Sequence, residues 1–197
     1  MTADQLSLAV ITASVRAGRL GPAVADWFLA QAKERPEFAV HDVDLADHPL
    51  PLVLPEPGGD IPARAARVRD SLRAVLTAAD AFVVVTPEYN HSFPAALKNT
   101  VDWFYEEWTA KPVGFVSYGG LSGGIRAVEQ LRQVFAEVHT LTVRENVALP
   151  DAGRRFDEQG RLADPEPSVR SANLLLDQLG WWGRALRTAR GESPYPR

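Results

Sequence analysis

Three short stretches of this sequence gather residues suited to holding a ligand. The first, Thr12-Ala13-Ser14-Val15-Arg16-Ala17-Gly18-Arg19-Leu20-Gly21-Pro22, closes an apolar run and opens an amphipathic one. A helix N-terminus offers unpaired N–H groups and the positive end of a dipole, so an anion is expected there. Ser14 adds a hydroxyl, Arg16 and Arg19 add charge, and Pro22 suits a first helical position. The stretch has neither the glycine pattern and lysine of a Walker loop nor the spacing of a GxGxxG fingerprint, so nucleotide hydrolysis gains no support. An ordinary strand-to-helix connection with solvated arginines reads the same way. The second stretch, Thr86-Pro87-Glu88-Tyr89-Asn90-His91-Ser92-Phe93-Pro94, runs into Leu97-Lys98-Asn99 and Asp102-Trp103. Taken singly, its prolines are turn formers, Tyr89 a core aromatic, Asn90 a local cap and Glu88 a solvated charge. The third, Ser117-Tyr118-Gly119-Gly120, leads through Ser122-Gly123-Gly124 into another amphipathic segment.

The remaining composition narrows what these stretches can do. The chain has no cysteine, which removes thiolate nucleophiles, disulfides and Cys-ligated metals, so redox chemistry has to come from a cofactor. His41, His48, His91 and His139 are scattered without ligand spacing, and no metal site is expected. His91 lies inside the second stretch and reads as a surface residue. A formal charge of −4 gives no basic footprint for nucleic acid and favours a small-molecule partner. No apolar run reaches the roughly 18 residues of a membrane span. Met1 to Ser7 lacks the basic-then-apolar pattern of a signal peptide, so a cytoplasmic location is expected.

The elements that must position the three stretches follow from hydrophobic periodicity. With 197 residues and 46% hydrophobic content, one enlarged domain spanning 1–197 is expected, with a core over about 6–150. Leu6 to Thr12 reads as a strand, Pro22 to Arg35 as a helix and Phe38 to Val43 as a second strand. Asp47 to Pro62 carries five prolines and Gly58-Gly59, and is expected to be a surface excursion. Arg64 to Ala78 has an apolar helical stripe. Ala81-Phe82-Val83-Val84-Val85-Thr86 is the strongest strand, fit for the centre of a sheet covered on both faces. Helix from Ala95 to about Tyr105, strand from Pro112 to Ser117, helix from Ile125 to about Val138 and strand from Thr140 to Val147 complete the alternation. Asp151 to Pro165 is turn-rich, Pro167 to Arg190 predicts a terminal helix, and Gly191 to Arg197 a frayed tail. Strands alternating with helices need right-handed crossovers and give an α/β doubly wound parallel sheet with helices on both faces. In such sheets ligands bind beyond the carboxyl ends of the strands, where all three stretches fall.

Pro87-Glu88-Tyr89-Asn90, then Ser92 and Pro94, Leu97-Lys98-Asn99 and Asp102-Trp103 resemble the signature of the NADPH-dependent FMN reductase family. The resemblance extends to the serine and arginine of the first loop, Ser14 and Arg16, and to the glycines of the third, and covers roughly residues 6 to 150. It departs at Ala13, where many relatives have glycine, and at Gly18-Arg19-Leu20-Gly21, where relatives often place serines or asparagines. It implies a flavodoxin-like five-stranded sheet of order 2-1-3-4-5, with FMN at the ends of strands one, three and four. It places Ser14, Arg16, Arg19, Leu20 and Gly21 around the FMN phosphate, and Pro87, Glu88, Tyr89, Asn90 and Ser92 along the ribityl chain and isoalloxazine. Ser117, Tyr118, Gly119 and Gly120 would complete the flavin edge, the two glycines letting backbone approach the ring.

The function so implied is an oxidoreductase that passes hydride from NADPH or NADH through FMN to a small acceptor, such as free flavin or a quinone. Hydride transfer needs no side-chain acid or base, so no catalytic residue is assigned, and Lys98 and Asn99 read as positioning or interface residues. Arg16, Arg19 and Arg126 make a 2′-phosphate contact conceivable. Relatives are commonly dimers or tetramers, and the aromatic cluster Trp103, Phe104, Tyr105 and Trp108 reads as core or interface, so a homodimer or homotetramer is expected. Two other readings stand beside this one: a non-catalytic FMN electron carrier, and an apo-protein serving as an interaction module.

Overall fold

The computed structural model describes residues 5–56 and 58–196. The elements alternate: β1 Leu6–Thr12, α1 Gly21–Lys33, β2 Phe38–Asp44, α2 Ala63–Ala78, β3 Ala81–Pro87, α3 Ala95–Trp103, β4 Pro112–Tyr118, α4 Ile125–Glu137, β5 Leu141–Leu149, then α5 Ala152–Arg155 and α6 Glu166–Glu192. The five strands are all parallel in the order β2-β1-β3-β4-β5, which puts the reversal of strand order between β1 and β3. Every residue of β1, β3 and β4 is buried, as expected for near-continuous apolar strands covered on both faces.

Two cores flank the sheet. On one face Val24, Phe28 and Leu29 of α1 and Leu175, Leu176 and Leu179 of α6 pack on Leu8, Val10, Val83 and Val116. On the other, Leu72 and Leu76 of α2, Leu97 and Val101 of α3, and Leu131 and Phe135 of α4 pack on Ile11, Phe82, Val84 and Phe115. Trp108 sits edge-on to Phe82 at 4.8 Å and to Phe135 at 5.6 Å between centroids. Each such fully buried large side chain contributes about 1.5–3 kcal/mol. The aromatic cluster thus divides: Phe104 and Trp108 are core, Tyr105 is exposed, and the Trp103 indole N–H donates to Pro51 O at 2.9 Å.

Three differences from the sequence-based expectations have local causes. Helix α3 stops at Trp103 because Phe104 takes an extended conformation that carries its ring into the core. The turn-rich segment holds one short helix, α5, entered through Asp151 in the left-handed region at φ 48°. Helix α6 continues to Glu192, so the expected tail starts two residues later than Gly191. As expected, Asp47 to Pro62 has no regular element among its described residues, and it leaves Leu52 and Val53 77% and 84% exposed.

Candidate functional site

Beyond the carboxyl ends of β1, β3 and β4 the three loops converge. Loop 1 leaves β1 with the Ala13 N–H donating to Val85 O at 2.9 Å and enters α1 at Gly21. Its first helical turn has no side-chain cap, so the N–H groups there keep their positive potential for a ligand. Ser14 is fully buried and its hydroxyl has no hydrogen-bond partner; neither has the buried phenol of Tyr118. Both face Gly21, where a Cβ would lie 2.1 Å from Ser14 Oγ and 2.9 Å from Tyr118 Oη, so only glycine fits between them. Burial pushes the Tyr118 phenol up to about 12, with the adjacent Ser14 hydroxyl pulling the other way, so it is a proton donor at neutral pH.

The two loop arginines point differently. The exposed Arg16 lies over the Tyr89 ring, its guanidinium carbon 6.0 Å from the centroid. Arg19 instead grips Asp44, at the end of β2, with two bonds of 2.6 Å, and donates to Ser14 O at 2.5 Å. The Asp44 bond raises the Arg19 pKa further. Burial works against ionisation of Asp44, but the Arg19 bond and the Ala46 N–H outweigh it and hold the carboxyl below its ordinary range. Leu20 packs partly against the α1/α6 core, which fixes the entry into α1.

Loop 2 is a tight reversal. Tyr89 and Ser92 exchange both backbone hydrogen bonds, at 2.8 and 3.0 Å, across Asn90 and His91 at φ 50° and 67°. Two successive positive φ values are those of a mirror-image turn, which asparagine tolerates better than most residues. Pro87 ends β3 and is buried. Gln130 of α4 ties the turn down, accepting from Ser92 Oγ at 2.6 Å and donating to His91 O at 2.7 Å.

Glu88 points away from loop 1, into the third loop. Its carboxylate accepts from Ser122 Oγ at 2.9 Å, from the Arg126 N–H at 3.2 Å and from the Arg126 guanidinium at 2.8 Å. Burial opposes its charge, yet these donors together hold its pKa below the usual carboxylate range. Loop 3 itself is held by Ser117, whose hydroxyl donates to Gly123 O at 2.8 Å, while Gly119 O and Gly120 O accept from Ala152 and Asp151. Gly124, at φ 87°, admits no side chain: a Cβ would stand 2.8 Å from that of Ser117. Nothing lies within 4 Å of a Cβ built on Gly120, so its backbone is open to a ligand.

Of the residues predicted from sequence, Ser14, Gly21 and Tyr118 come together at the start of α1, and Glu88, Tyr89, Asn90, Ser92, Gly119 and Gly120 line the adjoining loops. Arg19 and Ser117 serve the loops themselves. Sequence reasoning passed over Asp44 and Gln130 and took Ser122 only as a continuation of the third loop; an acidic residue ending β2 beside an arginine-bearing loop was the available signal for Asp44. Among the described residues no group of three or more His, Cys, Asp or Glu side chains could hold a metal ion.

Comparison with known proteins identifies the family and the fold. A sequence model of the NADPH-dependent FMN reductase family matches residues 6–154. An NAD(P)H-dependent FMN reductase of Schizosaccharomyces pombe is 42% identical over 128 residues, which are 64% of this chain and 63% of that protein. An NADPH:quinone oxidoreductase of Arabidopsis thaliana is 33% identical over 151 residues, 72% of this chain and 73% of that one. Among solved structures the flavoenzyme NAD(P)H:(acceptor) oxidoreductase FerB from Paracoccus denitrificans superposes with a TM-score of 0.70 at 22% identity, over 91% of this chain and 98% of that one, and shares its flavodoxin-like fold. The chain belongs to the NADPH-dependent FMN reductase family, oxidoreductases that carry FMN and draw electrons from NAD(P)H.

Proposed function

We propose that the three loops hold FMN and that the chain passes hydride from NAD(P)H to a small electrophilic acceptor. The observation that carries this reading is the pair of buried, partnerless hydroxyls of Ser14 and Tyr118 beside the uncapped start of α1. A buried hydroxyl without a partner costs about 1–3 kcal/mol, and a phosphate at that helix terminus is the acceptor both hydroxyls lack. Arg16, exposed at the same loop, supplies a countercharge. The turn of loop 2 and the open backbone at Gly120 suit a flat heterocycle whose edge carries carbonyl and N–H groups. When bound, FMN supplies the two-electron chemistry that a chain without cysteine cannot supply itself.

The residues of the chain bind and orient. Tyr89 walls the loop-2 side, Arg19 and Asp44 keep loop 1 folded, and Glu88 keeps loops 2 and 3 in register. Donor and acceptor taking turns at one face would give ping-pong kinetics. We further propose that the chain works in the cytoplasm as a homodimer or homotetramer. The test is an anaerobic absorbance measurement on the chain loaded with FMN. Rapid loss of the long-wavelength flavin band on adding NADPH or NADH supports a reductase; FMN uptake without bleaching by either nucleotide supports the electron carrier; no uptake refutes the site.

A further inference from the structure

Two successive residues of loop 2 stand in the left-handed region without being glycine, Asn90 at φ 50° and His91 at φ 67°. Such conformations are costly for a residue with a side chain and persist where the surroundings over-determine them. The paired backbone bonds between Tyr89 and Ser92 fix only the ends of the turn. Its middle is held from α4. Gln130 donates through Nε2 to His91 O at 2.7 Å and accepts through Oε1 from Ser92 Oγ at 2.6 Å, so both halves of one amide are spent on the turn. Arg126, one helical turn earlier, holds Glu88 at 2.8 Å, and the two side chains of α4 thus grip loop 2 at both ends. With these bonds made, the N–H groups of Asn90 and His91 are the backbone donors of the turn that have no partner among the described residues. Both residues are exposed. Successive N–H groups in such a turn make a concavity for negative charge.

We propose that Gln130 is a positioning residue for the cofactor: it holds the Asn90-His91 turn in the conformation that keeps these two N–H groups for the negative charge FMN gains on reduction, and so raises the midpoint potential of the flavin. The proposal deepens the reading of the three loops as the FMN site and rests on it. Hydride from NAD(P)H adds two electrons and one proton to a neutral ring and leaves one negative charge on it. Donors fixed before that charge develops stabilise it without reorganisation. A turn released from Gln130 relaxes toward ordinary backbone angles and turns its N–H groups elsewhere. The reduced, charged ring then loses more than the oxidised, neutral one.

The experiment measures the FMN midpoint potential against a reference dye in the full parent chain, in Gln130→Leu and in Ser92→Ala. Leucine keeps size and helix propensity while ending both bonds. In Gln130→Leu the affinity for reduced relative to oxidised FMN is expected to fall about tenfold, a potential lower by about 30 mV for a two-electron couple. Ser92→Ala spares the bond from Gln130 to His91 O and should lower the potential by less. In the FMN-free chain, the Tyr89 and Ser92 amides should exchange with solvent several-fold faster in Gln130→Leu than in the parent, read by NMR. An unchanged potential in Gln130→Leu overturns the proposal even if FMN binds more weakly, because a merely structural role weakens both forms alike; the FMN reading then stands. Parent-like exchange of the two amides overturns it as well. If Gln130→Leu holds no FMN, the Ser92→Ala potential decides, a lower value supporting the proposal and a parent value overturning it. A parent chain that takes up no FMN overturns both readings.

Discussion

Glu88 and Arg126 close a 2.8 Å ion pair between the loop after β3 and the first turn of α4, so the second and third loops are tied to each other. The carboxylate also caps the Arg126 N–H, adding an interaction with the positive end of the α4 dipole. Glu88→Gln keeps the shape but removes the charge that gathers Ser122 and Arg126. The expected outcome is FMN affinity about tenfold weaker, equivalent to about 1.4 kcal/mol, measured by flavin titration. Arg126→Ala should cost a similar factor, and the double variant should cost little more than either single one, because the two share one interaction. Additive losses would show that each residue acts separately.

The hydroxyls of Ser14 and Tyr118 should have opposite effects on the empty and the loaded chain. Each is a buried donor without a partner, so Ser14→Ala and Tyr118→Phe should leave the thermal stability of the FMN-free chain unchanged or raise it, by up to about 1 kcal/mol. With saturating FMN the same variants should melt below the parent, because the ligand stabilises only in proportion to its affinity. Scanning calorimetry with and without FMN checks both signs. Destabilisation of the FMN-free chain would mean that the hydroxyls serve the fold.

How much of this was legible in the sequence depends on how far a residue reaches for its partner. The run Phe82 to Val85 announces a central strand because burial on both faces leaves no room for polar alternation. Likewise Pro22 and the small polar residues before it announce a helix start, and the three loops follow once the strands are placed. The direction in which a loop side chain turns is not local. Glu88 meets a partner 38 residues away, Arg19 one 25 residues away, and Asn99 holds carbonyls 48 and 49 residues behind it. No periodicity encodes such pairs, so Glu88 and Arg19 read as ligand contacts or solvated charges although both spend their hydrogen bonds on the loops.

Alkaline titration should expose a buried lysine far from the loops. Lys111 is buried, with Nζ on Leu76 O at 2.7 Å and Thr77 O at 3.0 Å, at the C-terminal end of α2 and beneath the Phe82 ring. Burial, with repulsion from Arg190 and partial compensation by Asp80 and Glu107, lowers its pKa to about 8. The unfolded chain keeps that proton up to its ordinary value of 10.5 and so binds more protons between the two. Stability should therefore rise with pH across this window, by up to about 3 kcal/mol at its upper end. Tyr118, raised to about 12, acts in the opposite sense above its ordinary value of 10.0, where the folded chain holds the extra proton and stability falls. Urea midpoints in a pH series should thus pass through a maximum near pH 10, and Lys111→Met should flatten the rise without touching the fall.

Arg19 and Asp44 offer the sharpest separation between holding the cofactor and holding the loop. The pair is largely enclosed, with the two side chains 17% and 21% exposed, and the third Arg19 bond goes to the carbonyl of Ser14. If the pair organises loop 1, removing either end must do the same damage. Arg19→Ala and Asp44→Asn should each destabilise the FMN-free chain by about 2 kcal/mol, since a largely buried charge is left unpaired. Each should also weaken FMN by a similar factor, with the double variant no worse than the singles. If Arg19 instead reaches the phosphate once FMN is bound, Asp44→Asn frees it from a competing carboxylate. FMN binding would then strengthen in Asp44→Asn and weaken in Arg19→Ala. The two schemes give opposite signs for a single titration of Asp44→Asn, and the bidentate grip seen here favours the first.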